Sequence, residues 1–143
     1  MKSRRALARE FVLQGLYQWL LSGNDFAAIV VQLEQLNGFE RADADYCREL
    51  LKRSMDGAEE MAERLQEYLD RPYREVSPIE RGILVLASTE LAQYPELPFR
   101  VVISEAIELA KRYGGTDGHK YVNGVLDKLA AELRPHERGG SRA

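Results

Sequence analysis

The sequence predicts an all-α fold, a compact bundle of about six or seven helices. Three observations carry that prediction. Apolar residues recur at three- and four-residue spacing almost throughout, no segment alternates with the two-residue period of a strand, and helix start and stop signals punctuate the chain at short intervals. With 143 residues, 45% of them apolar and 30% charged, the chain is long enough to bury one core without disulfides or metals. Residues 1–143 are therefore read as a single domain, with 1–3 and 135–143 as flexible ends.

The first helix is expected from Ser3, a capping residue, to Leu21, with Val12, Leu16, Trp19 and Leu20 on one stripe. Ser22-Gly23-Asn24-Asp25 interrupts it, and a second helix follows over about Phe26 to Leu36, stopped by Asn37-Gly38. From about Asp43 to Leu69 the pattern fits one long helix or two end to end, with Gly57 as the weak point. Ser77-Pro78-Ile79-Glu80 combines an N-cap, a proline at the first helical position and a capping-box glutamate. The helix it starts, Pro78 to Tyr94, is so rich in Ile, Leu, Val and Ala that it belongs at the centre. Two more helices are expected from about Arg100 to Tyr113 and from about Gly118 to Leu133. Arg134-Pro135 ends the last one, and the tail with Gly139-Gly140-Ser141 is expected to be disordered.

Composition excludes several classes of function. Cys47 is the single cysteine, so there is no internal disulfide, which suits a reducing, cytoplasmic setting. His119 and His136 are the only histidines, and no spacing suits zinc. Glu59, Glu60, Glu63 and Glu67 lie at helical spacing and read as a solvated face. The stretch Gly114 to Lys120 only faintly resembles a nucleotide-binding loop, because it follows a helix and lacks the Gly-Lys-Ser/Thr order. No nucleophile–base arrangement can be built from so few candidates. The chain is expected not to be an enzyme, to need no cofactor, and, lacking any apolar run of about 18 residues, to have no membrane partner.

Charge is distributed unevenly. Lys2, Arg4, Arg5 and Arg9 face only Glu10 in the first ten residues, and residues 111–143 carry seven Lys or Arg against four acids. The segment between them is strongly acidic. If the two ends meet, they form one positive patch on a negative body, which attracts phosphate while limiting indiscriminate binding. The start of the last helix strengthens this reading. Asp117, Gly118, His119, Lys120 and Tyr121 bring free N–H donors, a cation and an aromatic ring into one turn, suited to holding a phosphate and stacking a base. Asp117 reads as the N-cap or as an acceptor for base amino groups. Tyr17 lies off the apolar stripe, free to stack, whereas Trp19 falls on it. Arginines with aromatic neighbours suit single-stranded RNA better than a duplex groove.

Four segments also resemble the NusB transcription antitermination factors, in the same order: Arg9-Glu10 with Leu16-Tyr17-Gln18-Trp19, Glu80 to Leu84, Ile103 to Lys111, and His119 to Asp127. The last two are the most specific, and Ala27 to Met61 matches in helical pattern only. The resemblance implies two three-helix-like halves and binding of single-stranded boxA RNA from ribosomal RNA operon leaders. It implies a heterodimer with the ribosomal protein NusE, entry into a complex with RNA polymerase and other Nus factors, and a role in ribosomal RNA maturation. By motif match the RNA-facing positions are Arg4, Arg5, Arg9, Tyr17 and the turn from Asp117 to Tyr121, and the partner-facing ones are around Tyr68 and Glu80. Family members often carry Ser where Gly118 stands and Phe where Tyr121 stands. Ala6 and Leu7 thin out the arginine arm, so RNA affinity without the partner is expected to be weak.

Two rival readings stay open on the sequence. One is an RNA-binding accessory domain like that of ribosomal RNA cytosine methyltransferases, disfavoured because no cofactor-binding domain follows. The other is a helical adaptor with no RNA role, for which Tyr121 would be buried. The oligomeric state is open, and a homodimer on the same face would compete with RNA.

Overall fold

The computed structural model describes residues 2–140, with side chains through Glu137. Helix α1 (Arg4–Ser22) starts where Ser3 Oγ accepts the Ala6 amide at 3.0 Å and stops at Gly23, whose φ of 73° ends it in the left-handed region. Asp25 caps α2 (Phe26–Glu34) through the Ala28 amide at 2.9 Å. A 3-10 turn at Phe39–Arg41 leads to α3 (Ala44–Asp56), capped by Asp43. Gly57 divides the long helical stretch, as its poor helix propensity suggests, and α4 (Ala58–Gln66) continues from it. After a second 3-10 turn at Tyr73–Glu75 come α5 (Pro78–Gln93), α6 (Phe99–Tyr113), α7 (Gly118–Leu133) and a short α8 (Pro135–Gly140). The described residues contain no strand.

Helices α1, α2 and α3 pack on one another, and α5, α6 and α7 form a second mutual set, with α4 bridging α3, α5 and α7. The two three-helix halves share one core because α5 runs between them and also touches α1 and α3. Every residue of α5 from Gly82 to Leu91 is buried. Its two hydroxyls cause no penalty there, since Ser88 donates to Leu84 O at 2.5 Å and Thr89 to Val85 O at 2.8 Å.

Two expectations need correction. The helical pattern was expected to end at Arg134-Pro135 with a loose tail, yet residues 135–140 form α8, and the chain before it is pinned. Arg134 is buried and donates to Leu91 O at 2.8 Å, to Leu97 O and Tyr94 O at 2.9 Å, and more weakly to Glu90 O. It therefore supplies a cation and donors to the orphan carbonyls at the C-terminus of α5. Glu137 then pairs with Arg134 and accepts the Phe99 amide at 2.9 Å. Ser141, part of the tail expected to be disordered, lies outside the described residues. The second correction concerns α2, which ends at Glu34, two residues earlier than expected. Among the described residues no helix is long and apolar enough to cross a membrane.

Candidate nucleic-acid interface

The N-terminal arm meets the end of α6 at Glu10, not the start of α7, where Glu80 stands against Gly118. Glu10, on α1, receives the Tyr113 hydroxyl and the Lys2 ammonium in short contacts, and the Arg112 guanidinium approaches it at 3.8 Å. Tyr113 is the last residue of α6, so this cluster stands immediately before the glycine loop that opens α7. Burial and the Glu10 carboxylate both push the Tyr113 phenol above its usual range. On one side of Glu10 a groove of about 420 Å³ runs between α1 and α2, walled by Leu13, Leu33, Leu36 and Ile79 and rimmed by Tyr17 and Tyr113. On the other side a second hollow, of about 530 Å³, is lined by Lys2, Arg9, Lys111 and Arg112 together with Glu10, Glu105 and Glu108. Tyr17 is 38% exposed and Tyr113 42%, so both rings are open to stacking. Trp19 is half-buried against the core, as its place on the stripe implies.

The expected arginine arm is not one unit. Arg9 is buried in ion pairs, whereas the sequence reading placed it on an outward arm. Its Nε donates to both Glu90 oxygens, at 3.1 and 2.9 Å, and its Nη1 to Glu105 at 3.3 Å. Tyr46 gives its hydroxyl to the same Glu90. Burial pushes the Glu90 carboxyl up against the opposing pull of Arg9 and Tyr46, and it pushes the Tyr46 phenol far above its usual range. The reason Arg9 turns inward is geometric. It falls on the α1 face that meets α5 and α3, where Glu90, fully buried, needs a counter-charge. Arg4 and Arg5 are exposed but lean towards α3. Arg4 donates to Ala42 O at 3.4 Å, and Arg5 lies 3.8 Å from Asp43 with its guanidinium 4.5 Å over the Tyr46 ring. The cations gathered around Glu10 are instead Lys2 and Arg112, with Lys111 lining the same hollow. Sequence reading passed over Glu10, Arg112 and Tyr113, whose one signal was the basic and aromatic end of α6.

At the start of α7 the structure corrects a second expectation, that of an open mouth for phosphate. The Gly118 amide is taken by Gly115 O at 3.0 Å, and those of Lys120 and Tyr121 by Asp117 O. Glu80 also stands there, so close that a Cβ on residue 118 would lie 2.7 Å from its Oε2. A negative group already sits at the positive end of the helix. Asp117 occupies the N-cap position with a left-handed φ of 62°, and its side chain makes no capping bond. It reaches Lys120 Nζ at 3.4 Å, both groups being well exposed. This leaves its carboxylate outward, in the manner expected of an acceptor rather than a cap. His119 is half-buried. Tyr121 is also half-buried, with the Arg71 guanidinium 4.9 Å over its ring and its phenol raised by burial and by Asp70. One face of that ring is therefore already covered.

The partner-facing positions lie far apart. Tyr68 donates to Glu132 at 2.6 Å, near the C-terminus of α7, and that bond pushes its phenol up to about 12. Glu80 touches Gly118 at the N-terminus of the same helix. At 1.5 Å per residue the two contacts are about 20 Å apart along α7.

Comparison with known proteins agrees with this architecture. The family model described as the NusB family matches residues 6–131. The transcription antitermination protein NusB of Nitrosomonas eutropha is 52% identical over 95% of this chain and 81% of its own length. That of Aromatoleum aromaticum is 47% identical over 99% of this chain and 98% of its own. The structure of T. maritima NusB superposes with a TM-score of 0.82 at 29% identity, covering 97% of this chain and 99% of that one. A structure described as antitermination factors NusB and NusE in complex with double-stranded RNA shares the fold, with a TM-score of 0.80 at 22% identity over 92% of this chain and 99% of that one. The chain belongs to the NusB family, a family of transcription antitermination factors rather than of enzymes.

Proposed function

We propose that this protein binds boxA-type leader RNA of ribosomal RNA operons together with the ribosomal protein NusE, and so supports processive transcription by RNA polymerase and ribosomal RNA maturation. The observation that supports this reading is the meeting of α1 with the end of α6 at Glu10, which sets Tyr17 and Tyr113 beside Lys2, Lys111 and Arg112. Open aromatic faces next to mobile cations are what a single strand needs, since stacking tolerates any base and the cations neutralise phosphates. Arg4 and Arg5 add attraction at the outer edge. Asp117, outward and acceptor-only, reads base amino groups, with His119, Lys120 and Tyr121 beside it. Gly118 contributes by letting Glu80 close in. NusE would lie along α7, which is what contact with both Tyr68 and Glu80 demands. The fold neighbour described with NusE and double-stranded RNA makes a duplex the natural control probe.

The test is an electrophoretic mobility shift with single-stranded leader RNA and with the same sequence as a duplex, each with and without NusE. The expected outcome is a faint shift alone, a clear shift of the single strand with NusE, and a weaker one of the duplex. Absence of any shift at low salt in both conditions would reject the reading.

A further inference from the structure

We propose that Glu10 is a built-in stand-in for an RNA phosphate, and that one unpaired nucleotide of the RNA binds by displacing it, its base entering the groove between α1 and α2. The inference rests on the RNA reading above and assigns it a subsite and a specificity device. Two cations and a hydroxyl converge on the Glu10 carboxylate: the Lys2 ammonium, the Arg112 guanidinium at 3.8 Å and the donating Tyr113 hydroxyl. That is a donor set suited to phosphate oxygens. The Glu10 side chain is only 13% exposed, while those of Lys2 and Arg112 are 40% and 55% exposed. Both cations can therefore swing outward to a phosphate with little loss of packing.

The groove beside Glu10 fits a base. Its volume of about 420 Å³ lies within the range of about 300–1,000 Å³ usual for small-ligand clefts. Its apolar floor ends in two exposed phenol rings, and the amides of Gln14, Gln18 and Gln32 reach into it. Each amide offers both donors and an acceptor, the complement of a base edge. Glu10 lines this groove and the second hollow alike, so phosphate and base would meet on either side of one residue. The carboxylate also imposes a cost on every incoming phosphate. Only an RNA whose base fills the groove recovers that cost, which makes Glu10 a repulsive element that sharpens choice.

The variants are Glu10→Gln, which keeps the shape and removes the charge, and Leu36→Glu, which places a charge on the groove rim at a residue already 40% exposed. Binding of fluorescent single-stranded leader RNA and of a scrambled RNA of equal length is measured in the presence of NusE across a salt series, with circular dichroism as a check on folding. Glu10→Gln is expected to tighten both RNAs, the scrambled one by about fivefold at low salt and the leader by less, with the gain shrinking as salt rises. Leu36→Glu is expected to weaken the leader at least about fivefold. Unchanged or weaker binding by Glu10→Gln overturns the proposal, as does unchanged binding by Leu36→Glu. A dimer of the wild type that Leu36→Glu dissociates without altering RNA affinity would assign the groove to a second copy and overturn it as well. If the wild type binds and the variants do not differ from it, this inference fails alone. If the wild type binds neither RNA, the RNA reading fails with it.

Discussion

Arg9 and Glu10 are neighbours on α1, and each is the centre of a cluster of acids, cations and phenols. Arg9 is held between Glu90, Glu105 and the Tyr46 ring, with its own side chain only 5% exposed. Glu10 holds Lys2, Arg112 and Tyr113 at the surface, between two hollows. One step along a helix is a rotation of about 100°, and here it carries the chain from core to site. In the buried cluster, charge is compensated for good, because removing either partner strands the other in an apolar medium. In the Glu10 cluster the two cations are exposed, so water or a ligand can take over their contacts. The same chemistry thus holds the two halves together on one side of α1 and stays exchangeable on the other.

The sharpest way to break this contrast is Arg9→Met, which keeps much of the volume and removes the charge. Urea denaturation should show a loss of about 3–5 kcal/mol. A loss under about 1 kcal/mol would mean that Glu90 is compensated by other means and that the buried cluster is not the stabilising one.

Alkaline titration separates the clusters next. Tyr46, Tyr94 and Tyr113 all hold their protons more tightly in the folded chain, Tyr46 and Tyr94 by far the most, chiefly through burial. The stability they contribute is complete below the ordinary phenol value of about 10 and is lost as pH rises through the folded values. Unfolding followed over this range should therefore show stability falling by about 1.4 kcal/mol per pH unit for each phenol still protonated. Ultraviolet titration, with Tyr113→Phe and Tyr46→Phe as assignments, should show Tyr113 ionising before Tyr46. The reverse order would place Tyr113 in the tighter environment.

The smallest effect is expected from Lys2→Ala. Lys2 itself is 40% exposed, so stability should change by no more than about 0.5 kcal/mol. In the presence of NusE, the salt dependence of RNA binding should still flatten by about 0.7 in the log–log slope, one phosphate contact fewer. A clear loss of stability with an unchanged slope would make Lys2 part of the fold.

Particular residues show how far the sequence could be read. Ser3 and Ser77 cap the helices they were expected to cap, because a cap needs only its own next three residues. Tyr17 is exposed and Leu16 buried, as their places on the stripe require. Arg9 was misread as an outward cation because its partner Glu90 lies 81 residues away. Asp117 was read in part as a cap, but a left-handed backbone, set by the glycine loop before it, turns its carboxylate outward. The mouth of α7 was expected to be open, yet Glu80 enters it from the start of α5, a contact between elements 38 residues apart in sequence.

By itself, then, the sequence determined the all-helical class, the starts and most of the ends of the helices, and which residues of α5 would be central. Such properties depend on spacings of three and four residues, which a short window contains in full. Only the tertiary structure decided what each charge is for. Arg9 lost its solvent to Glu90, Arg134 took the end of α5, and Glu10 gathered Lys2, Arg112 and a tyrosine from 103 residues away. An ion's partner and its exposure are set by which helix faces come together, and a charge carries no mark of that until they do.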